Sequence, residues 1–179
     1  SPLADLVYAQ APDSAEPIVL AADFVNEELG VETAEDALQG AMDIIAEMIS
    51  DDADIRKRMR FVCMAHGKLV VKAAGEELDV YEMYADYREP LSKIANHRVL
   101  AINRGEKDGF LSTKLDIEED IIHNYIKGEV LSDKPSSSRD TVSLAIEDSY
   151  KRLIAPSVET EIRNLLTERA EEAAIKVFS

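Results

Sequence analysis

Four basic side chains crowd one short stretch, residues 96–109, of an otherwise acidic chain. The stretch reads NHRVLAINRGEKDG, and its basic residues are His97, Arg98, Arg104 and Lys107. Guanidinium and ammonium groups bind phosphate through charge and through several N–H donors, so one interpretation is a nucleic-acid contact. Arginine also suits a buried hydrogen-bonded clamp, for which Asp86 and Glu89 are nearby acceptors. A third interpretation is a capped helix whose basic end complements its own dipole.

No other cluster of reactive side chains has a spacing that supports catalysis. Glu118, Glu119 and Asp120 are consecutive, and neighbours on a helix point in different directions, so they do not converge as an acid and a base. Cys63 and His66 could share one helix turn, but they lack the second pair of ligands that a zinc site needs. The sequence contains neither a Gly-x-Gly-x-x-Gly loop nor a Walker loop. We therefore expect no enzyme, no metal and no cofactor.

The composition is that of a soluble globular protein. The 179 residues are 46% hydrophobic and 31% charged, which is enough to bury a core. No window approaches 18 consecutive apolar residues, so no membrane span is expected. The single cysteine, Cys63, lies among apolar neighbours and excludes an internal disulfide framework. We expect a cytoplasmic protein in which Cys63 is buried.

The formal net charge of −16 is unevenly distributed along the chain. Residues 1–54 carry 14 acidic side chains and no lysine or arginine. Residues 55–115 carry 12 basic and 8 acidic side chains, and residues 116–179 carry 8 basic and 14 acidic ones. Because phosphate binding needs positive potential, any nucleic-acid surface should lie in the middle segment.

Helical periodicity covers most of the chain, and a β pattern occurs in two places. Thr33 occupies the position of a helix cap, and apolar residues then recur at helical spacing. The β-branched run 68–73 and the alternating run 110–117 are typical of strands, and each is too short to stand alone. We expect these runs to pair as one small two-stranded β element in a mainly α, multi-helix domain.

The elements around the basic stretch are predicted in more detail. Asn96 is expected to cap a short helix, and Gly105 is expected to end it in a left-handed turn. Two long helices are expected to finish the chain, with a break at Ala155-Pro156.

We expect three consecutive segments along the chain. Residues 1–67 form an acidic helical segment, and residues 68–134 form a middle segment with the β element and the basic helix. Residues 135–179 form the long helices. The chain opens on Ser-Pro and stops within a helical pattern at Val177-Phe178-Ser179. We therefore expect it to be a piece of a longer protein.

Residues 87–117 read YREPLSKIANHRVLAINRGEKDGFLSTKLDI and resemble a stretch of the Tex family, the bacterial transcription accessory proteins. The matching motifs are Glu89-Pro90-Leu91, His97-Arg98, Leu100-Ala101 and Arg104-Gly105, while Ala95-Asn96 stands where the family has Pro-Ser. Three further stretches resemble the family in the same order, namely PLADLVYAQ near the start, DSYKRL at 148–153 and TERAEEA at 167–173. The resemblance therefore covers nearly the whole chain.

The resemblance implies that this chain is the helical region preceding an RNase H-like domain. Tex-like proteins also carry helix-hairpin-helix modules and a C-terminal S1 domain, on which RNA binding mainly rests. RNA or DNA and the transcription machinery are then partners of the full-length protein. We expect the chain to be a helical scaffold or interaction region of such a protein. The alternative is a direct nucleic-acid-binding module that uses the basic middle segment.

Two hypotheses remain for the basic stretch. We favour a clamp that joins the β element to the helices, because arginine offers five donors in fixed geometry. Nucleic-acid contact is the competing hypothesis. The clamp candidates are Asp86, Glu89, Arg98, Arg104 and Gly105. The nucleic-acid candidates are His97, Arg98, Arg104 and Lys107.

Overall fold

Helices make up most of the chain, as the sequence predicts. The computed structural model describes residues 1–177, so the helical pattern predicted for Phe178 and Ser179 lies outside the described residues. Within residues 1–177 there are eight α-helices and one three-stranded sheet. The predicted mainly α fold class is confirmed. No helix among the described residues combines the length and the apolar character that crossing a membrane requires.

The elements follow one another with short connections. The helices are α1 Pro2–Ala9, α2 Pro17–Ala21, α3 Ala34–Asp51, α4 Ala53–His66, α5 Asn96–Lys107, α6 Glu119–Val130, α7 Arg139–Asp148 and α8 Ala155–Val177. The strands are β1 Lys68–Ala73, β2 Asp86–Pro90 and β3 Leu111–Asp116. Short 3-10 helices span Ala22–Phe24, Glu27–Leu29 and Asp79–Tyr84, and a π-helical segment spans Ser149–Ile154.

The described residues group into two compact units, each built from two stretches of chain. The first unit contains residues 1–56 and 123–156, and the second contains residues 57–122 with the described part of 157–179. The division into residues 1–67, 68–134 and 135–179 stays a prediction about order along the chain.

The first unit is an all-helical core in which α3 is central. Ile45 and Ile49 of α3 are fully buried, as is Ile146 of α7. Helix α3 begins where the sequence predicts, because the Thr33 hydroxyl accepts a hydrogen bond from the N–H of Asp36 at 3.1 Å. A hydroxyl at this position satisfies one of the N–H groups that a helix start leaves unpaired.

The predicted break at Ala155-Pro156 is wrong. Helix α7, the π-helical segment and α8 follow one another without an interruption. Pro156 has no N–H to donate and its ring crowds the preceding turn, which disfavours regular α-helical bonding there. The six preceding residues adopt π-helical bonding instead, and the N–H of Ala155 bonds the carbonyl of Tyr150. The proline therefore changes the hydrogen-bonding pattern and does not end the helix.

The sheet belongs to the second unit and has the strand order β2-β1-β3. Strand β1 is antiparallel to β3, with Leu69 opposite Leu115 and Val71 opposite Thr113. This confirms the predicted pairing of the two β runs. The third strand, β2, pairs with the other side of β1 and was not predicted. Leu69 and Val71 are buried on one face of the sheet, while the alternate residues of β1 point to the other face.

Candidate nucleic-acid and partner interface

Helix α5 carries the basic stretch and lies against the sheet. Its apolar residues Val99 and Ile102 are buried, three residues apart on one side of the helix. The predicted cap is wrong, because Ala95 takes the N-cap position and Asn96 is the first helical residue. The predicted turn at Gly105 is also wrong, since the helix continues to Lys107. The left-handed backbone conformation falls on Gly109, with a φ of 83°.

Gly105 is needed for close packing and not for a turn. A Cβ atom at this position would lie 2.5 Å from Cδ1 of Leu111 and 3.1 Å from Cδ1 of Tyr81. Heavy atoms do not approach to 2.5 Å without displacement, so only a hydrogen atom fits there. Gly105 thus allows α5 to approach Leu111, the first residue of β3.

Arg98 is held by an aromatic ring. Its guanidinium carbon lies 5.5 Å from the centroid of the Tyr87 ring, within the range of a cation–π contact. The Tyr87 hydroxyl donates a hydrogen bond to the carboxylate of Glu89. Burial and this carboxylate together raise the pKa of Tyr87 to about 12, so the phenol stays protonated as the donor. Arg98, Tyr87 and Glu89 therefore form one local cluster beside β2.

Asp86, the other proposed acceptor, is engaged elsewhere. It pairs with Lys72 across the β1–β2 ladder, and this lysine lowers the pKa of the Asp86 carboxyl. Within residues 1–177, no hydrogen bond or ion pair joins Asp86 or Glu89 to Arg98 or Arg104. The clamp in its predicted form stays a prediction.

His97, Arg104 and Lys107 lie on the exposed side of α5. Their positions in the helix place His97 and Arg104, seven residues apart, on one face. In the described chain these three side chains make no hydrogen bond or ion pair. They therefore keep their donors available to solvent or to a ligand, whereas the guanidinium of Arg98 lies over the Tyr87 ring.

An arginine that sequence reasoning missed does join α5 to the sheet. Arg163 of α8 donates to Oε1 of Glu106 at 2.6 Å and to Oδ1 of Asn103 at 2.7 Å, and it also bonds the hydroxyl of Thr113. That hydroxyl in turn donates to Oε2 of Glu106 at 2.5 Å. Only 16% of the Arg163 side chain is exposed. One side chain therefore bonds partners on α5 and β3; we call Arg163 and these three partners the Arg163 clamp.

Further polar contacts extend the attachment of α8 within the second unit. Arg169 donates to Oδ1 of Asn96 at 2.8 Å and to the carbonyl of Ile94 at 2.9 Å. Asn103 donates to the Thr167 hydroxyl at 2.8 Å. The sequence carries no local signal for these pairs, because Arg163 and Glu106 are 57 residues apart.

The face of the sheet opposite the buried residues is polar and open. The register places Arg88 and Lys114 on either side of Val70, and Lys68 and Lys72 precede and follow it on the same strand face. The four cations thus surround one apolar residue. We call the alternate residues of the three strands on this side the open sheet face; they are Lys68, Val70, Lys72, Asp86, Arg88, Pro90, Ser112, Lys114 and Asp116.

Two grooves lie beside these side chains. A groove of about 340 Å³ is lined by residues that include Val70, Lys72 and Lys114. A second groove of about 230 Å³ includes His66 and Lys68. Both grooves are lined by Arg88 and Asp116, whose Nη1 and Oδ2 atoms lie 2.9 Å apart. The sequence did not predict that these residues converge, because their convergence depends on the strand register.

The other reactive groups discussed from the sequence are Cys63 and the acidic run Glu118, Glu119 and Asp120. Cys63 is buried, and burial raises the pKa of its thiol to about 11, which disfavours the nucleophilic thiolate. Among residues 1–177, no three His, Cys, Asp or Glu side chains are placed to hold a metal ion. Glu118, Glu119 and Asp120 are exposed at the start of α6, where acidic side chains complement the helix dipole.

This mainly α chain, with its three-stranded sheet and Arg163 clamp, belongs to the family described as Tex central region-like, whose model matches residues 12–178. Among similar proteins, the uncharacterized protein YdcI of Bacillus subtilis is 42% identical over 99% of this chain and 25% of its own length. The transcriptional accessory protein Tex of Neisseria gonorrhoeae is 31% identical over 99% of this chain and 24% of its own length. The human S1 RNA-binding domain-containing protein 1 is 28% identical over 83% of this chain and 16% of its own length. The chain thus spans about a quarter of the bacterial relatives it matches.

Proposed function

We propose that this chain is a helical scaffold and interaction region of a Tex-like, nucleic-acid-binding transcription accessory protein of the cytoplasm. RNA binding by the full-length protein rests mainly on an S1 domain outside this chain. The names of the gonococcal and human relatives support this proposal, since they specify transcription accessory function and an S1 RNA-binding domain. In this proposal the chain itself catalyses no reaction and needs no cofactor.

The Arg163 clamp is the observation that carries the scaffold proposal. Arginine often binds phosphate groups in proteins. The terminal nitrogens of Arg163 instead donate hydrogen bonds to Glu106, Asn103 and Thr113. The cluster of Arg98 on Tyr87 likewise uses a basic side chain internally. Much of the polar chemistry around α5 therefore serves to hold elements of the second unit together.

The exposed side of α5 favours a second candidate function, direct nucleic-acid binding. His97, Arg104 and Lys107 are exposed and have no partner within the described residues. Unpaired cations can replace the counterions of a phosphate backbone, and they contribute affinity that falls as salt rises. Arg98 would contribute less, because its guanidinium already lies over the Tyr87 ring.

The two candidates are separated by a fluorescence anisotropy titration. Labelled single-stranded RNA and duplex DNA are titrated with the chain at low and at near-physiological salt. The test variant is Arg104→Ala/Lys107→Ala, and the matched control is Lys57→Ala/Lys93→Ala, which removes the same charge from other exposed, unpaired positions. Circular dichroism checks that each variant is folded.

The scaffold proposal predicts weak binding at most. At near-physiological salt, Kd should be no tighter than the roughly micromolar range of non-specific contacts, and both variants should weaken binding equally. Tighter, salt-sensitive binding that is lost in Arg104→Ala/Lys107→Ala and kept in the control would instead establish direct nucleic-acid binding through α5.

A further inference from the structure

We infer that the open sheet face is a docking surface for an extended, acidic polypeptide segment of a partner protein. This inference rests on the proposed role of the chain as an interaction region and names the chemistry of its partner. All nine residues of this face belong to the second unit. They lie on the three strands, whereas His97, Arg104 and Lys107 lie on helix α5.

The open sheet face carries more positive than negative side chains, with four cations and two carboxylates. Two of the four cations around Val70 are neutralised within the chain, because Lys72 pairs with Asp86 and Arg88 pairs with Asp116. Both pairs are at least 46% exposed on each side chain, and exposed pairs of this kind exchange partners at little cost in free energy.

The other two cations are free. Lys68 and Lys114 are exposed, and within residues 1–177 neither side chain makes an ion pair or a hydrogen bond. They lie on neighbouring strands of the same face, separated diagonally across the β1–β3 ladder. An acidic ligand that crosses this face can contact both without breaking any contact of the folded chain.

The pattern of the face favours a polypeptide over a nucleic acid. None of the nine residues of the open sheet face is aromatic. The face therefore offers no ring on which a base could stack. Asp86 and Asp116 repel a backbone that carries a charge at every phosphate. An extended polypeptide differs, because only every second side chain faces the sheet and its acidic groups can be confined to that side.

The shape of the surface fits an extended chain. The groove of about 340 Å³ over Val70 and the groove of about 230 Å³ beside Lys68 are adjacent, because Arg88 and Asp116 line both of them. In an extended segment, side chains at alternate positions point the same way, so acidic residues two apart fall on one side. We therefore expect a ligand with acidic residues at alternate positions, whose side chains face the sheet, and small residues between them, whose side chains point away from it.

The test uses a fluorescein-labelled peptide of alternating glutamate and valine and follows its anisotropy as the chain is added. The test variant is Lys68→Glu/Lys114→Glu. The control is Lys57→Glu/Lys93→Glu, which makes the same charge change at exposed sites on α4 and in the turn after β2. A serine-valine peptide of equal length tests the need for acidic groups, and labelled single-stranded RNA is titrated in parallel.

We expect salt-sensitive binding of the acidic peptide that weakens roughly tenfold or more in the test variant and about twofold or less in the control. Amide chemical shifts of Val70, Arg88 and Lys114 should change on binding. Absence of binding at low salt, equal loss in both variants, or shifts confined to α5 would overturn the inference. Tighter binding of RNA that depends on Lys68 and Lys114 would overturn it in favour of a nucleic-acid surface.

These results are distinguishable from failure of the scaffold proposal. The scaffold proposal fails if nucleic acid binds through Arg104 and Lys107. The docking surface is tested separately, by the effect of the Lys68 and Lys114 substitutions on peptide binding. A chain that binds neither peptide nor nucleic acid would keep the scaffold proposal and reject the docking surface.

Discussion

At Gly105, the absence of one methyl group sets how closely α5 approaches the sheet. The neighbouring atoms belong to Leu111, which is 3% exposed, and to Tyr81, which is 6% exposed, so neither side chain has open space to move into. The site tolerates little added volume because protein interiors are packed as densely as organic crystals. The resemblance to Tex proteins includes this glycine as part of Arg104-Gly105, and the packing gives a physical reason for it.

Gly105→Ala should destabilise the chain by about 1–3 kcal/mol, the usual cost of overpacking a filled core. The measurement is the free energy of unfolding in urea, followed by circular dichroism. Gly40→Ala is the matched control, since a Cβ there meets nothing within 4 Å. It should stabilise helix α3 by up to about 1 kcal/mol, because alanine is the better helix former. A stabilising effect of Gly105→Ala would show that the close approach is not needed.

Cys63 should be almost inert toward thiol reagents in the folded chain. Burial raises the pKa of its thiol to about 11, against a reference value of 9.0, so the reactive thiolate is roughly 100-fold scarcer at pH 8. Labelling with an aromatic disulfide reagent should accordingly be at least that much slower than in denaturant. Equal rates in the two conditions would contradict the burial. Since the folded pKa is the higher one, the contribution of Cys63 to stability is complete below pH 9 and declines as pH rises toward 11.

At the scale of elements, the sequence predicts what local pattern encodes. Strand β1 was predictable from its short β-branched run and β3 from the alternation of its apolar and polar residues, and the pairing followed from having two strand patterns. Strand β2 was missed, since Asp86–Pro90 contains three charged residues and a proline and has no apolar alternation. Its strand conformation depends on the neighbouring β1 ladder.

The candidate site was predictable only in part, for a related reason. The basic character of residues 96–109 and the exposure of His97 follow from composition and helical spacing. The Arg163 clamp does not, because Arg163 lies in a helix with unremarkable charge alternation and finds its acceptors 50 to 60 residues away. Tertiary contacts between distant residues leave no mark in one sequence.

The π-helical segment Ser149–Ile154 is anchored to α3 by one buried hydrogen bond. The Ser149 hydroxyl is fully buried and donates to the carbonyl of Ala46 at 2.6 Å. Ser149→Ala should cost about 1 kcal/mol of unfolding free energy, the net worth of a typical hydrogen bond. Ser143→Ala on α7 removes a hydroxyl that has no partner in the described chain, and it should change stability by no more than about 0.5 kcal/mol. Equal effects of the two variants would show that the bond to Ala46 contributes nothing.

At the scale of the whole molecule, charge divides between the two units. The first unit contains 19 acidic residues and six lysines and arginines, a formal charge of −13. The second contains 17 acidic residues and 14 lysines and arginines, a formal charge of −3. Any polyanion that the chain meets should therefore contact the second unit, whose basic groups include the exposed side of α5 and the open sheet face. The first unit should be repelled by nucleic acid.

We expect the Arg163 clamp to hold the second unit together, and a double-mutant cycle measures its contribution to stability. Free energies of unfolding are measured for the parent chain, Arg163→Ala, Glu106→Ala and the double variant. The matched cycle uses Arg152→Ala and Asp148→Ala, an exposed pair one helix turn apart with a 2.9 Å contact.

We expect a coupling of roughly 1–3 kcal/mol between Arg163 and Glu106, because each single variant leaves a partly buried charge without its opposite charge. The exposed control pair should couple by about 0.3–0.5 kcal/mol. If the effects of Arg163→Ala and Glu106→Ala simply add, to within about 0.3 kcal/mol, the clamp does not hold the unit together and the scaffold proposal loses its main support.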